Sequence, residues 1–192
     1  MSFLSQAVQT TLPSPLGPLL LAASSRGLAG VWYADQRHEP PPQQVQRWPI
    51  DHDHPLLRTA AAQLDAYFRG ERLDFDLPLD LSGGTPFQRA VWLALLGIPA
   101  GHTRSYGDMA RQIERPGAVR AVGAAIGRNP LGIVVPCHRV VGGNGSLTGY
   151  AGGLDRKRAL LRLEGALIDK AHQWPEQTSS TGRPAAQPLP AH

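Results

Sequence analysis

The chain has 192 residues, one cysteine and a formal net charge of +4, with 42% of its residues hydrophobic. That length and apolar content suit one ordinary domain or two small ones, and a single cysteine excludes an intramolecular disulfide framework and an all-cysteine zinc site. No apolar run is long enough to cross a bilayer, Met1–Thr10 lacks the basic-then-apolar order of a signal peptide, and the free thiol suits a reducing cytoplasm; the basic balance permits a nucleic-acid partner without requiring one.

In chain order, Val8–Leu12, Leu19–Ala23 and Leu28–Tyr33 are short extended runs separated by turn residues, and together they predict a β meander. Residues 35–55, with Pro40-Pro41-Pro42 among them, predict a variable loop. A metal could be imagined between His52 and His54, but adjacent ligands with no partner cluster read as solvated side chains. Leu56, Leu57, Ala60, Leu64, Tyr67 and Phe68 follow helical spacing, with Gly70 as the stop. Leu73, Phe75, Leu77 and Leu79 alternate with polar positions and predict a further strand, with Asp74, Asp76 and Asp80 on its solvated face. Ser82-Gly83-Gly84 is the best boundary, dividing the chain into residues 1–83 and 84–168. Residues 169–192 are rich in Pro, Ser, Thr and Gln and predict a disordered tail.

The second half is helical. Thr85 caps a helix that Pro86 begins, and Phe87, Val91, Trp92 and Leu95 form its apolar stripe up to Gly97. Ser105 caps the next helix, Tyr106–Ile113, and after a break at Arg115-Pro116-Gly117 a third runs from Ala118 to Gly127. Two short helices about a Gly-containing turn form a helix-turn-helix pattern. On the third helix, Val119, Val122 and Ile126 suit the core. Arg120, Ala124 and Arg128 lie on another face, and Ala121 keeps its neighbourhood low. A cation leading a helix with so little bulk can approach a nucleic acid closely; two packed small-residue helices are the alternative.

Ile133-Val134-Val135 reads as a short buried strand that Pro136 ends, which sets Cys137 at the strand's mouth with His138 and Arg139 directly after it. A lone cysteine is often only a small buried hydrophobe, but a thiolate made beside cationic or imidazole groups is a nucleophile. Glycine loops at 142–145 and 148–153 follow, and either rim a substrate or are plain surface turns. Leu154–Leu163 is a basic amphipathic helix ending at Glu164-Gly165.

Pro136-Cys137-His138-Arg139-Val140, preceded by Asn129-Pro130 and followed by the Gly-Tyr-Ala-Gly-Gly loop and Glu164-Gly165, closely resembles the O6-alkylguanine-DNA alkyltransferases, in their bacterial form. The likeness runs over about residues 84–166. It implies an α/β protein: a small ribonuclease H-like N-terminal α/β domain, then a mostly helical C-terminal domain with a winged or helix-turn-helix DNA-binding motif.

The implied activity is irreversible, one-time transfer of the alkyl group from O6-alkylguanine in double-stranded DNA to Cys137, with nucleotide flipping and with O4-alkylthymine as a second candidate substrate. By resemblance His138 acts on Cys137 through a water, Glu164 holds the imidazole, and Asn129 braces the turn between recognition helix and cysteine. Tyr106 bonds guanine N3 and crowds the phosphate, and Arg120 replaces the extruded nucleotide. The main chain at Cys137 and Val140 accepts from the exocyclic amine, the Ala151 amide donates to O6, and Tyr150 lines the pocket. Ser105, Ala121 and Ala124 complete the expected DNA surface. No cofactor or metal is implied, and the expected form is a monomer in solution, with cooperative assembly on DNA left open.

The zinc site of some members cannot be built with one cysteine. Ala151 stands where others carry serine, and Gly132 and Thr148 differ from pocket residues of some relatives. Two other readings stay in view: a non-catalytic helix-turn-helix or lesion-sensing protein, and a cysteine hydrolase using Cys137, His138 and Glu164.

Overall fold

A computed structural model describes Leu4 and residues 7–167; the tail expected from residue 169 lies outside the described residues. The meander forms as β1 (Val8–Leu12), β2 (Leu19–Ser24) and β3 (Gly27–Tyr33), an antiparallel sheet in the order β1-β2-β3. Every residue of β3 is buried, because both faces of the sheet are covered. Helix α2 (Pro55–Phe68) lays Leu57, Ala60, Leu64 and Tyr67 in the main core with Leu21, Val31 and Tyr33. On the other face Trp32 stacks on Trp48 at 6.2 Å between ring centroids.

The stretch expected to be a variable loop therefore carries part of the core. It contains one helical turn, α1 (Pro42–Val45), and is pinned by Gln9, whose amide donates to the carbonyls of Val45 and Trp48 at 2.9 Å. His52 Nδ1 is hydrogen bonded to Thr10 Oγ1 at 2.8 Å.

Gly70, at φ 72°, ends α2: its amide bonds Tyr67 O, and the Glu71 amide bonds Ala66 O. A left-handed residue satisfies the last carbonyls of a helix this way, and glycine adopts that conformation without a Cβ penalty.

The strand expected over 73–79 is absent. The segment is extended, with Phe75, Leu77 and Leu79 half-buried, but it makes one bridge, Leu28 to Leu79. Pro78 has no amide to continue a ladder and offers only its carbonyl, to Leu28 N at 2.7 Å. Asp80 is not on a solvated face. It is 3% exposed and accepts from Ser24 Oγ at 2.6 Å and Ser82 N at 3.0 Å.

In the second half, Thr85 and Gln88 close a capping box at the start of α3 (Pro86–Leu96). Two residues, β4 (Arg104–Ser105), lead into α4 (Tyr106–Gln112), where Ser105 and Asp108 form another capping box. A 3-10 turn, Pro116–Ala118, joins α4 to α5 (Val119–Gly127), which completes the helix-turn-helix. Trp92 Nε1 donates to Ala125 O at 2.8 Å and fixes α5 on α3. The inner face of α5 is Val122, Ala125 and Ile126. Val119 is 39% exposed, because the first turn of α5 follows the exposed Pro116-Gly117 to the surface.

The expected strand Ile133–Val135 is also absent. Residues 131–135 are a buried, tightly folded turn: Val134 N bonds Gly132 O and Val135 N bonds Leu131 O, both at 2.8 Å. Ile133 sits at φ 69°, a costly conformation for a β-branched residue that persists only where its surroundings impose it. A continuous apolar run shows burial but not whether the chain is extended, so the sequence signal was ambiguous here.

The edge of β3 holds this turn from outside. Val31 N bonds Pro130 O at 2.9 Å and Gly132 N bonds Val31 O at 3.0 Å. A Cβ at Gly132 would stand 3.1 Å from Val31 O, so this close approach explains the glycine. After the turn, β5 (Val140–Val141) pairs in parallel with β4, and α6 (Leu154–Leu163) closes the domain.

Candidate active site

Cys137 opens a 3-10 turn, Cys137–Arg139, where the buried turn ends, and all three residues are buried. Asn129 braces the approach: its Nδ2 donates to Val135 O at 2.8 Å and its Oδ1 accepts from Leu131 N at 3.0 Å. Burial pushes the Cys137 thiol up, while the Asn129 amide and the Lys157 ammonium pull against it.

Glu164 is the hub behind the cysteine. It caps α6, and Gly165 at φ 72° ends that helix as Gly70 ends α2, which fixes where the Glu164 side chain starts. Oε1 accepts from His138 Nε2, Tyr67 OH and Arg139 Nη2, each at 2.8 Å, and Oε2 accepts from Arg139 Nε at 2.8 Å. Burial alone would raise this carboxyl; the hydrogen bonds from His138 and Arg139 outweigh it and hold Glu164 at about 2.

An ionised carboxylate can only accept, so the proton of His138 must sit on Nε2. His138 Nδ1 then carries the lone pair. It is buried and has no hydrogen-bond partner among the described residues. Burial lowers the His138 pKa despite the carboxylate beside it, so the imidazole rests neutral at neutral pH. The arrangement is a thiol, a neutral base with one free acceptor nitrogen, and a fixed anion orienting that base.

Two members of this array, Tyr67 and Lys157, carried no role in the sequence reading, and Arg139, read there as a cation beside the thiol, turns instead to Glu164. Arg139 pairs with Glu164 and also donates to Ile98 O at 2.5 Å. Tyr67 reaches Glu164 from α2, in the other half of the chain. Lys157 is fully buried, and its Nζ donates to the carbonyls of Val140 at 2.5 Å, Thr148 at 2.6 Å and Gly149 at 3.4 Å; burial lowers its pKa to about 8. The signal was present for Lys157: residues 157, 160, 161 and 164 share one helix face, so a lysine and a glutamate lie in an apolar stripe.

The Tyr106 hydroxyl donates to Thr148 O at 3.1 Å and Gly149 O at 3.2 Å, and its ring lies 3.6 Å from where a Cβ of Gly123 would be. Tyr106 thus spans from α5 to the 148–153 loop. In that loop Tyr150 is half-buried, and burial drives its hydroxyl pKa well up. The Ala151 carbonyl accepts from Arg37 N at 3.0 Å.

On α5, Arg120, Ala121, Ala124 and Arg128 are exposed and form the low, basic face that the spacing predicts. They are exposed, whereas the members of the array are buried. The Ser105 hydroxyl is used within the chain: it donates to Asp108 Oδ2 at 2.7 Å and accepts from Asp108 N at 3.0 Å. Among the described residues no group of three or more His, Cys, Asp or Glu side chains could hold a metal ion.

Residues 86–166 match the family model described as "6-O-methylguanine DNA methyltransferase, DNA binding domain", and residues 7–81 match "6-O-methylguanine DNA methyltransferase, ribonuclease-like domain". A methylated-DNA–protein-cysteine methyltransferase of Mycobacterium bovis is 53% identical over 154 residues, covering 80% of this chain and 90% of the relative. The enzyme of the same name from Methanosarcina acetivorans is 49% identical over 155 residues, covering 80% and 95%. A crystal structure of Mycobacterium tuberculosis OGT in complex with DNA superposes with a TM-score of 0.73 at 51% identity, covering 81% of this chain and 91% of that one.

Proposed function

The chain belongs to the 6-O-methylguanine DNA methyltransferase family, and on that premise we propose that Cys137 takes the alkyl group from O6-alkylguanine in duplex DNA, once per molecule. The coarse activity is DNA repair by alkyl transfer from methylated DNA to a protein cysteine. One observation carries the finer reading. The buried Cys137 is followed in the chain by a buried histidine whose Nε2 is committed to ionised Glu164 and whose Nδ1 has no hydrogen-bond partner among the described residues.

In the proposed step the thiol proton passes to His138 Nδ1 across one water, and the Cys137 sulfur attacks the alkyl carbon. The S–C bond forms as the C–O6 bond breaks, and the electron pair of the broken bond stays on guanine. Guanine takes up one proton for the one the thiol gave, so it leaves neutral. The Ala151 amide at O6, and the Tyr106 hydroxyl at N3 once it gives up the loop carbonyls of Thr148 and Gly149, are the donors that stabilise the departing base as its charge develops. The thioether has no route back, which makes the transfer stoichiometric.

The lesion cannot meet a buried sulfur while stacked, so the nucleotide flips out at a cost of about a few kcal/mol. Arg120, leading the low face of α5, fills the gap. The chain acts as a cytoplasmic monomer, and its single unpaired cysteine supports the reducing setting.

Mass spectrometry after mixing with a duplex carrying O6-methylguanine tests this. One added methyl on the Cys137 peptide is expected. An unmodified thiol beside intact DNA binding would instead support a lesion-sensing protein, and repeated cleavage of an ester would support a hydrolase.

A further inference from the structure

Arg156, in the first turn of α6, ties the 148–153 loop to the N-terminal domain. Its Nε donates to Leu16 O at 2.8 Å, in the β1–β2 turn, and its Nη1 donates to Gly152 O at 3.1 Å. The same Nη1 lies 2.7 Å from Asp35 Oδ1, and the guanidinium carbon stands 4.3 Å from the centroid of the Tyr33 ring. A Cβ at Gly17 would come within 3.0 Å of Nη2, so the turn leaves room for this fork.

The loop it holds has little freedom left. Tyr150 O accepts from Gly153 N at 3.1 Å and Ala151 O from Arg37 N at 3.0 Å. A Cβ at Gly152 would meet Tyr150 at 2.8 Å and Tyr33 at 3.0 Å. The peptide planes on both sides of the Ala151 Cα are therefore fixed, and with them the direction of the Ala151 N–H. Two of the three anchors, Arg37 and the Leu16–Arg156–Gly152 bridge, depend on the N-terminal domain.

We infer that Arg156 is a positioning residue for alkyl transfer, through which the N-terminal domain aims the Ala151 amide at guanine O6. This rests on the functional reading above, which assigns that amide to the leaving oxygen. A hydrogen-bond donor stabilises developing charge only when held within a fraction of an ångström, so loosening the loop costs rate and spares DNA affinity. Arg120 should behave differently, since its part is played on the duplex.

The test is single-turnover transfer by the full chain, with DNA affinity measured separately. Because each molecule reacts once, the amplitude counts folded, active molecules and the rate constant describes those alone. Arg156→Ala should lower the rate constant at saturating duplex about tenfold, well short of the loss from deleting an oxyanion donor outright. The rate with free O6-methylguanine should fall by a similar factor, and DNA affinity should stay within about twofold. Arg156→Lys keeps a charge beside Asp35 but cannot span Leu16 and Gly152; it should restore the reaction amplitude and not the rate.

A rate constant unchanged in Arg156→Ala, a loss confined to DNA affinity, or full recovery of rate by Arg156→Lys would each overturn the inference. Failure of the unaltered chain to methylate Cys137 would remove the underlying functional reading instead.

Discussion

The outer face of α5 and the array behind Cys137 both carry charge and handle it in opposite ways. On α5, Arg120 and Arg128 stand in solvent among alanines. Behind the cysteine, His138, Arg139, Lys157 and Glu164 are all buried, and each charge is answered by a counter-charge or by carbonyls. Buried ions are tolerated only with such answers, and removing one partner strands the other. Exposed cations add little to folding but dominate association with a polyanion. Substitutions in the array should therefore damage stability and rate together, whereas those on α5 should damage only work on the duplex.

The sharpest break should come from Glu164→Ala, which strands Arg139 and releases His138. A loss of about 3–5 kcal/mol of stability is expected, with near-abolished transfer, measured by urea unfolding and single-turnover kinetics. A fully stable variant would contradict the buried pairing.

Next, Arg120→Ala should slow repair in duplex DNA about ten- to a hundredfold and leave the rate with free O6-methylguanine nearly unchanged. Equal losses on both substrates would erase the contrast between the two regions.

The Glu164 carboxyl supplies a pH signature. Its folded pKa is about 2 against an ordinary 4.5, so its contribution to stability is complete above about 4.5 and fades as pH falls towards 2. Denaturant midpoints of the native chain should fall across that window, and Glu164→Gln should flatten that part of the slope. Tyr67→Phe, which removes one of several donors to Glu164, should cost only about 1–2 kcal/mol.

Much of the fold was legible because its elements are punctuated by residues with few conformational options. Thr85-Pro86 and Ser105 start helices, Gly70 and Gly165 end them, and the three early strands are separated by Pro and Gly clusters. The two-residue pair β4–β5 was not legible, since two residues define no period. Ile133–Val135 was misread because a buried turn and a buried strand share one composition.

At the site, the motif around Cys137 led to His138, and the resemblance led to Glu164. Neither revealed that Tyr67, from the other half of the chain, completes the carboxylate's set of donors. Side-chain partners so distant in sequence leave no local pattern. Lys157 did leave one, as a charge within an apolar stripe.

The most direct measurement is a count of lesions removed per chain when duplex carrying O6-methylguanine is in tenfold excess. The proposed chemistry predicts that removal stops at one per molecule, with every active Cys137 converted to S-methylcysteine. Continued removal beyond one, or removal by a chain whose Cys137 has been replaced by Ala, would contradict it.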